Sequence, residues 1–219
     1  MLRRLSYLKS MGTMRPRRYR NLLKIIYQRR CRNIMEIGVY RGKHAKQMIE
    51  VAKIFYPAGE IYYYGFDLFE KLTEENFVKE QAKQPPSCAY VRQQLEETGT
   101  NIRLYTGYTR DTLPSFVAEF QATETALDFI FIDGGHSIET IASDWRFVKD
   151  LMSNKTVVLF DDYYGNNEPE VAGFGCQSLI NTLDKEAYDV EVLQPSDYFQ
   201  KEWGLLKTNM VKVELQHTR

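Results

Sequence analysis

Apolar and polar positions alternate along this chain so that short, nearly continuous apolar runs are separated by longer amphipathic stretches. Asn33–Ile37, Ile61–Phe66, Ile102–Tyr105, Leu127–Ile132 and Thr156–Phe160 are runs of the first kind, and such runs read as strands buried on both faces. The stretches between them predict helices over Lys43–Phe55, over 72–98 on either side of Pro85-Pro86, from near Asp111 to Phe120 and over Ile138–Met152. Pro114 is tolerated in the first turn of its helix. Upstream, Gly12 and Pro16 divide two further helices near 2–11 and 17–30. Downstream come a mobile loop at Tyr163–Gly175, a helix at Cys176–Lys185, and two terminal strands, Tyr188–Leu193 and Trp203–Glu214, joined by a polar loop. Strands that alternate with helices over the whole length predict an α/β fold with a mostly parallel sheet covered on both faces.

At 219 residues, with 43% hydrophobic and 26% charged residues, the chain fits one globular domain with a sizeable core. No run approaches the ~20 apolar residues that a membrane span needs. Three well-separated cysteines, Cys31, Cys88 and Cys176, lack metal-ligand spacing and fit a reducing compartment, so a cytoplasmic location is expected. The net charge of zero hides an asymmetry: residues 1–35 hold eleven Lys/Arg and no Asp or Glu, and the remainder is net −11. Residues 1–30 are therefore read as a basic helical arm and 31–219 as the main domain. Such an arm suits a helix packed on an acidic body, and Tyr19, Leu22, Leu23 and Ile26 recur at helical spacing. Contact with nucleic acid or an anionic membrane, or a targeting role, is the alternative. A homo-oligomer is left open.

Chemistry-bearing residues gather where the predicted strands end. The run Asp128–Ile132 leads into Asp133-Gly134-Gly135-His136, and Val157–Phe160 leads into Asp161-Asp162, 28 residues after Asp133. Open α/β sheets bind ligands just beyond their strand ends. Carboxylates of neighbouring strands, roughly 5 Å apart, converge there and suit Mg²⁺ or a similar cation; their bland role is to cap turns and pair with arginines. His136, after two glycines, offers a base that titrates near neutral pH. The first strand leads into Glu36-Ile37-Gly38-Val39-Tyr40-Arg41-Gly42, where glycines let backbone approach a ligand. Asp67, about 30 residues on, is placed to accept ribose hydroxyls or to cap a helix. Gly107-Tyr108-Thr109-Arg110-Asp111 forms a polar turn after the third strand. His44 and His217 are isolated, though His44 follows the glycine turn closely.

Together these motifs resemble the class I S-adenosylmethionine-dependent O-methyltransferases, from about residue 20 onward. The similarity is greatest to the catechol enzymes and to the metal-dependent enzymes that methylate sugars of natural products. The resemblance implies a single doubly wound, Rossmann-like sheet of seven strands with the last one antiparallel. It implies S-adenosylmethionine held by Glu36, Gly38, Tyr40, Gly42, Asp67, Leu68, Thr109, Arg110 and Asp133, with His44 beside Tyr40. It implies Mg²⁺ on Asp133, Asp161 and Asp162, with His136 as the general base. A histidine in that place is similar to the sugar-modifying branch. The expected acceptor is a small molecule bearing a diol, a sugar, natural product or catechol. Two rivals are a methyltransferase guided to nucleic acid or protein by the basic arm, and a non-catalytic binding module on the same fold.

Overall fold

The computed structural model describes residues 2–80, 82–123, 125–164 and 171–216. Strands β1 (Asn33–Ile37), β2 (Tyr62–Asp67), β3 (Asn101–Thr106), β4 (Phe129–Ile132) and β5 (Val157–Tyr164) alternate with helices, and β6 (Tyr188–Lys201) and β7 (Gly204–Leu215) close the chain as a hairpin. Across the sheet the order is β3-β2-β1-β4-β5-β7-β6. The first five strands pair in parallel, and β7 runs antiparallel to both β5 and β6. The expected seven-stranded sheet with its antiparallel last strand is therefore the fold observed.

Continuous apolar runs follow from the two-residue period of a strand covered on both sides. Ile34, Phe129, Phe131, Val157 and Leu159 enter the cluster on one face, while Met35, Ile37, Ile130, Ile132, Val158 and Phe160 enter that on the other. Burying each such side chain contributes about 1.5–3 kcal/mol. Helices α1 (Leu2–Thr13), α2 (Arg20–Arg29), α3 (Lys43–Ala52), α4 (Glu74–Lys79), α5 (Cys88–Glu96), α6 (Thr109–Gln121), α7 (Ile138–Val148) and α8 (Gln177–Thr182) complete the chain. Leu22, Leu23 and Ile26 of α2 are fully enclosed in the first cluster, so the arm's apolar spacing serves packing. None of the described helices is long and apolar enough to cross a membrane.

Several boundaries differ from expectation. The α6 helix begins at Thr109, which puts Pro114 in its second turn rather than its first. The polar segment after Leu193 is not a loop: β6 continues to Lys201 opposite β7, with a register shift between Leu193 and Asp197. Cross-strand pairing with Leu205–Thr208 overrides its polarity. Similarly, β5 runs on to Tyr164, so Asp161 and Asp162 lie within the strand and not beyond it. Residues 165–170 of the expected mobile loop, and His217, lie outside the described residues.

Candidate active site

The turn from β1 to α3 is shaped by close backbone contact. Gly38 has φ +94°, and a Cβ there would stand 1.9 Å from the Asp133 carbonyl oxygen, so only glycine lets β1 and the end of β4 approach this closely. Asp67, closing β2, ties the turn down: its Oδ2 accepts from the Tyr40 N–H at 2.7 Å and its Oδ1 from the Phe69 N–H at 3.0 Å. Burial raises the Asp67 pKa, and these backbone donors work against that rise. Each oxygen keeps a lone pair for a ligand hydroxyl.

A cavity of about 700 Å³ lies over these strand ends, within the range of small-molecule sites. Gly38, Tyr40, Asp67, Leu68, Thr109 and Asp133 line it, as His44 does. Glu36, Gly42 and Arg110 are not brought to its wall. Glu36 is fully buried and accepts a hydrogen bond from the Tyr63 hydroxyl; burial pushes its carboxyl up to about 8 against the pull of that bond. Gly42 is the left-handed N-cap of α3 and faces Val91 and Leu95. Arg110 is exposed over the Tyr108 ring. His44 stacks on Tyr19 with ring centroids 4.1 Å apart, and burial holds its pKa down at about 4, so it faces the cavity uncharged.

Asp133, Asp161 and Asp162 lie close together but do not share one partner. A bulge in β5, where three steps from Phe160 to Tyr163 oppose two in β7, contains both Asp161 and Asp162, with Asp162 at φ +56°. Bulges of this kind re-aim side chains beside active sites. Asp161 turns to the arm. Arg18 Nε and Nη2 donate to its two oxygens at 2.6 and 2.8 Å, and the Tyr19 hydroxyl lies 2.7 Å from Oδ2 and 3.2 Å from Asp133 Oδ2. Burial disfavours both charges of the pair. Even so, Arg18 holds the Asp161 pKa below its ordinary value, and Asp161 keeps the guanidinium charged. Asp197, at the β6 irregularity, fixes the arm by accepting from the backbone N–H groups of Arg17 and Arg18 at 2.8 and 2.7 Å.

Asp162 instead faces His136, with Oδ2 3.2 Å from Nε2. The other ring nitrogen, Nδ1, meets the backbone carbonyl of Glu80. A carbonyl only accepts, so Nδ1 carries hydrogen and a neutral ring turns its Nε2 lone pair toward Asp162. Two acceptors facing each other at that distance call for a proton between them or a cation drawn onto the carboxylate. Burial and the Asp161 charge raise the Asp162 carboxyl to about 6, and burial with both neighbouring acids raises that of Asp133 well above the usual range. One ligand atom each from Asp133, His136 and Asp162 lies within 4.8 Å of the others. This donor set fits a divalent cation. The Glu80 carboxylate also accepts from the Ser137 N–H, the Ser137 hydroxyl and the Thr140 hydroxyl at 2.7–2.8 Å, which locks the start of α7 and the histidine before it.

Sequence reasoning missed Glu80, Arg18 and Asp144 as parts of this site. The bland reading of Asp161 and Asp162 as partners for arginines announced the ion pair without saying which arginine it would take. Glu80 carries no motif and reaches the site only through the fold.

Residues 35–163, more than half the chain, match the sequence profile described as a methyltransferase domain. No curated protein sequence matches. Among solved structures, an O-methyltransferase from Bacillus cereus in complex with S-adenosylhomocysteine superposes with TM-score 0.59 at 14% identity, covering 99% of this chain and 91% of its own. The O-methyltransferase TomG from Streptomyces achromogenes, of tomaymycin synthesis and bound to S-adenosylmethionine, gives 0.57 at 17%, covering 93% and 82%. A TDP-rhamnose 3'-O-methyltransferase of calicheamicin biosynthesis gives 0.56 at 16%, covering 95% and 93%. At such identities the superpositions speak for the fold, and the profile supplies the family: the chain belongs to the methyltransferase-domain family.

Proposed function

We propose that the protein transfers the methyl group of S-adenosylmethionine to a hydroxyl oxygen of a small, ring-shaped acceptor carrying a diol, with a divalent cation held by Asp133 and Asp162. The observation that carries this reading is the convergence of Asp133, His136 and Asp162 at the wall of the cavity. Asp67 would accept the ribose hydroxyls, and the Gly38–Tyr40 turn would lie against the methionine portion. Bound there, the cation would supply Lewis acidity that lowers the pKa of the acceptor hydroxyl.

The chain's own residues do the rest. The Glu80 carbonyl fixes the His136 tautomer, leaving Nε2 to take the hydroxyl proton as the oxygen attacks the sulfonium methyl. Asp162 then accepts from the new Nε2–H and stabilises the imidazolium. Asp161, expected as a third ligand, is assigned here to anchoring Arg18. A smaller adjoining cavity of about 300 Å³, lined by His136, Tyr164, Phe174, Lys201 and Trp203 among others, provides aromatic faces for a ring. The neighbour that acts on TDP-rhamnose supports a sugar in that place, and a catechol is the other diol of the right shape. Arg18 is spent on Asp161 and Arg29 on Glu214, which supports a packing role for the arm over a nucleic-acid guide.

The test is S-adenosylhomocysteine release with a panel of nucleotide sugars and catechols, before and after chelation. Acceptor-dependent release that stops with chelator and returns with Mg²⁺ is expected. Turnover untouched by chelator would remove the cation, and turnover confined to RNA or protein would remove the acceptor class.

A further inference from the structure

The end of the β6–β7 hairpin reaches past the rest of the sheet. Among the described residues, the last pair that β7 makes with β5 is Tyr164–Thr208, yet β6 and β7 stay paired from Tyr198–Lys207 to Lys201–Gly204. Alternate residues of a strand point to opposite faces. Phe199 and Lys201 of β6 and Leu206 and Thr208 of β7 share the face that lines the main cavity, while Tyr198 and Leu205 on the other face stand exposed. This polar stretch therefore serves as a wall over the strand ends.

The wall carries hydrogen-bonding groups that nothing in the fold satisfies. Thr208 is 1% exposed, and its hydroxyl has no hydrogen-bond partner among the described residues. Asp197, directly opposite Thr208 in the ladder, lies 3.7 Å from Arg18 Nη1, and that buried nitrogen also makes no hydrogen bond among the described residues. Charge around the cavity is sorted by depth. The exposed charged residues of its wall are all basic, Arg15, Arg41, Lys43, Lys83 and Lys201, while its acids are drawn in. A mouth of one sign concentrates ligands of the other. The cofactor's carboxylate is one such anion, but Lys201 also lines the side cavity, with His136, Asp162 and Trp203 and, among the described residues, none of Gly38, Tyr40 and Asp67. With the cofactor on the Gly38 turn, Lys201 is left to the acceptor. We infer that the acceptor is itself an anion, a diol bearing a phosphate or carboxylate group, selected by Lys201 together with the Thr208 hydroxyl on the same face of the hairpin. This assignment rests on the proposed diol acceptor and adds its charge. Lysine binds such a group as a point charge, and a site built to hydrogen-bond one group rejects an analogue that lacks it.

Steady-state release of S-adenosylhomocysteine with matched acceptors tests this: glucose against glucose 1-phosphate and glucuronate, and catechol against 3,4-dihydroxybenzoate. Wild type is expected to show a kcat/KM at least about tenfold higher for the anionic member of a pair, the size expected of a hydrogen bond to a charged group, with KM carrying the difference. The phosphate and carboxylate arms tell which oxyanion is read. Lys201→Met should shrink the preference to within about threefold, through KM rather than kcat, with a melting temperature showing that the variant is folded. Thr208→Val should weaken the preference in the same sense and by less. Lys207→Met, which removes a charge from the opposite face of the hairpin, should retain it. Equal kcat/KM for charged and neutral members in wild type overturns the inference while leaving the diol acceptor standing, and this arm does not depend on any variant folding. An unchanged preference in a folded Lys201→Met protein overturns it as well. No release with any of these diols removes the proposed acceptor class and this inference with it.

Discussion

Replacing Arg18 by methionine isolates the contribution of the arm to the active site. The pair it breaks is enclosed, with Arg18 5% and Asp161 3% exposed, and methionine keeps most of the stem's packing while removing the charge. Truncating one partner of a buried ion pair costs about 3–5 kcal/mol, because the remaining charge is left in a poorly solvating site. For a chain of this size each kcal/mol lowers the melting temperature by about 2–4 °C, so a drop of roughly 6–20 °C is expected in a thermal melt. Converting Asp161 to leucine in the same protein removes the stranded charge and should restore much of the loss. Divalent cation separates this account from simple loosening. Without Arg18, Asp161 is free to join Asp133 and Asp162, so Mg²⁺ should raise the melting temperature of Arg18→Met more than that of wild type. A loss below about 1 kcal/mol, or equal stabilisation of both proteins by Mg²⁺, would refute the reasoning, since a buried pair cannot be broken so cheaply.

Gly38→Ala should lose several kcal/mol, from roughly 1–3 kcal/mol of backbone strain at positive φ and a similar overpacking cost, because its Cβ meets the Asp133 carbonyl. Urea unfolding reads the stability, and S-adenosylhomocysteine binding should fall with it; near-wild-type values in both would contradict the close approach of β1 and β4. Glu36 tests the burial of its carboxyl. An acid whose pKa is raised on folding, here from 4.5 to about 8, binds its proton more tightly in the folded state. Its contribution is therefore most favourable below about 4.5 and is lost as pH rises toward about 8. At about 1.4 kcal/mol per pH unit the loss amounts to a few kcal/mol, and Glu36→Gln should become more stable relative to wild type between pH 5 and pH 8. A constant difference across that range would show that the carboxyl is not perturbed. His136→Gln should lower kcat by about 10²–10⁴-fold, as loss of a general base does, while S-adenosylhomocysteine affinity stays near wild type; unimpaired turnover would take His136 out of the chemistry.

The strand-helix alternation was legible because each central strand is apolar on both faces, a pattern that survives in the sequence without knowledge of its neighbours. The same reasoning failed where tertiary pairing outweighed composition. Gln194–Lys201 reads as polar loop yet extends β6 because β7 offers it a ladder, and Thr156–Phe160 continues to Tyr164 for the same reason. Within the site, Asp67, Asp133, His136 and Asp162 could be picked out because each follows an apolar run or a glycine turn. Their division of labour could not. Asp161 and Asp162 are adjacent in sequence, and only the β5 bulge sends one to Arg18 and the other to His136. Glu36 shows the reverse error: its place beside the glycine turn suggested the cofactor, but the strand's two-residue period turns it onto Tyr63 inside the fold.

The central claim is that Asp133 and Asp162 hold a divalent cation beside His136, with the cofactor stretched from Gly38 to Asp67. A crystal structure of the protein grown with S-adenosylhomocysteine and Mn²⁺, phased to show anomalous scattering from manganese, tests it directly. The account predicts a single strong anomalous peak within about 2.0–2.3 Å of oxygens from Asp133 and Asp162, Arg18 still on Asp161, and the ribose on Asp67. Manganese bound elsewhere, or a bound cofactor with no metal between those two aspartates, would contradict it.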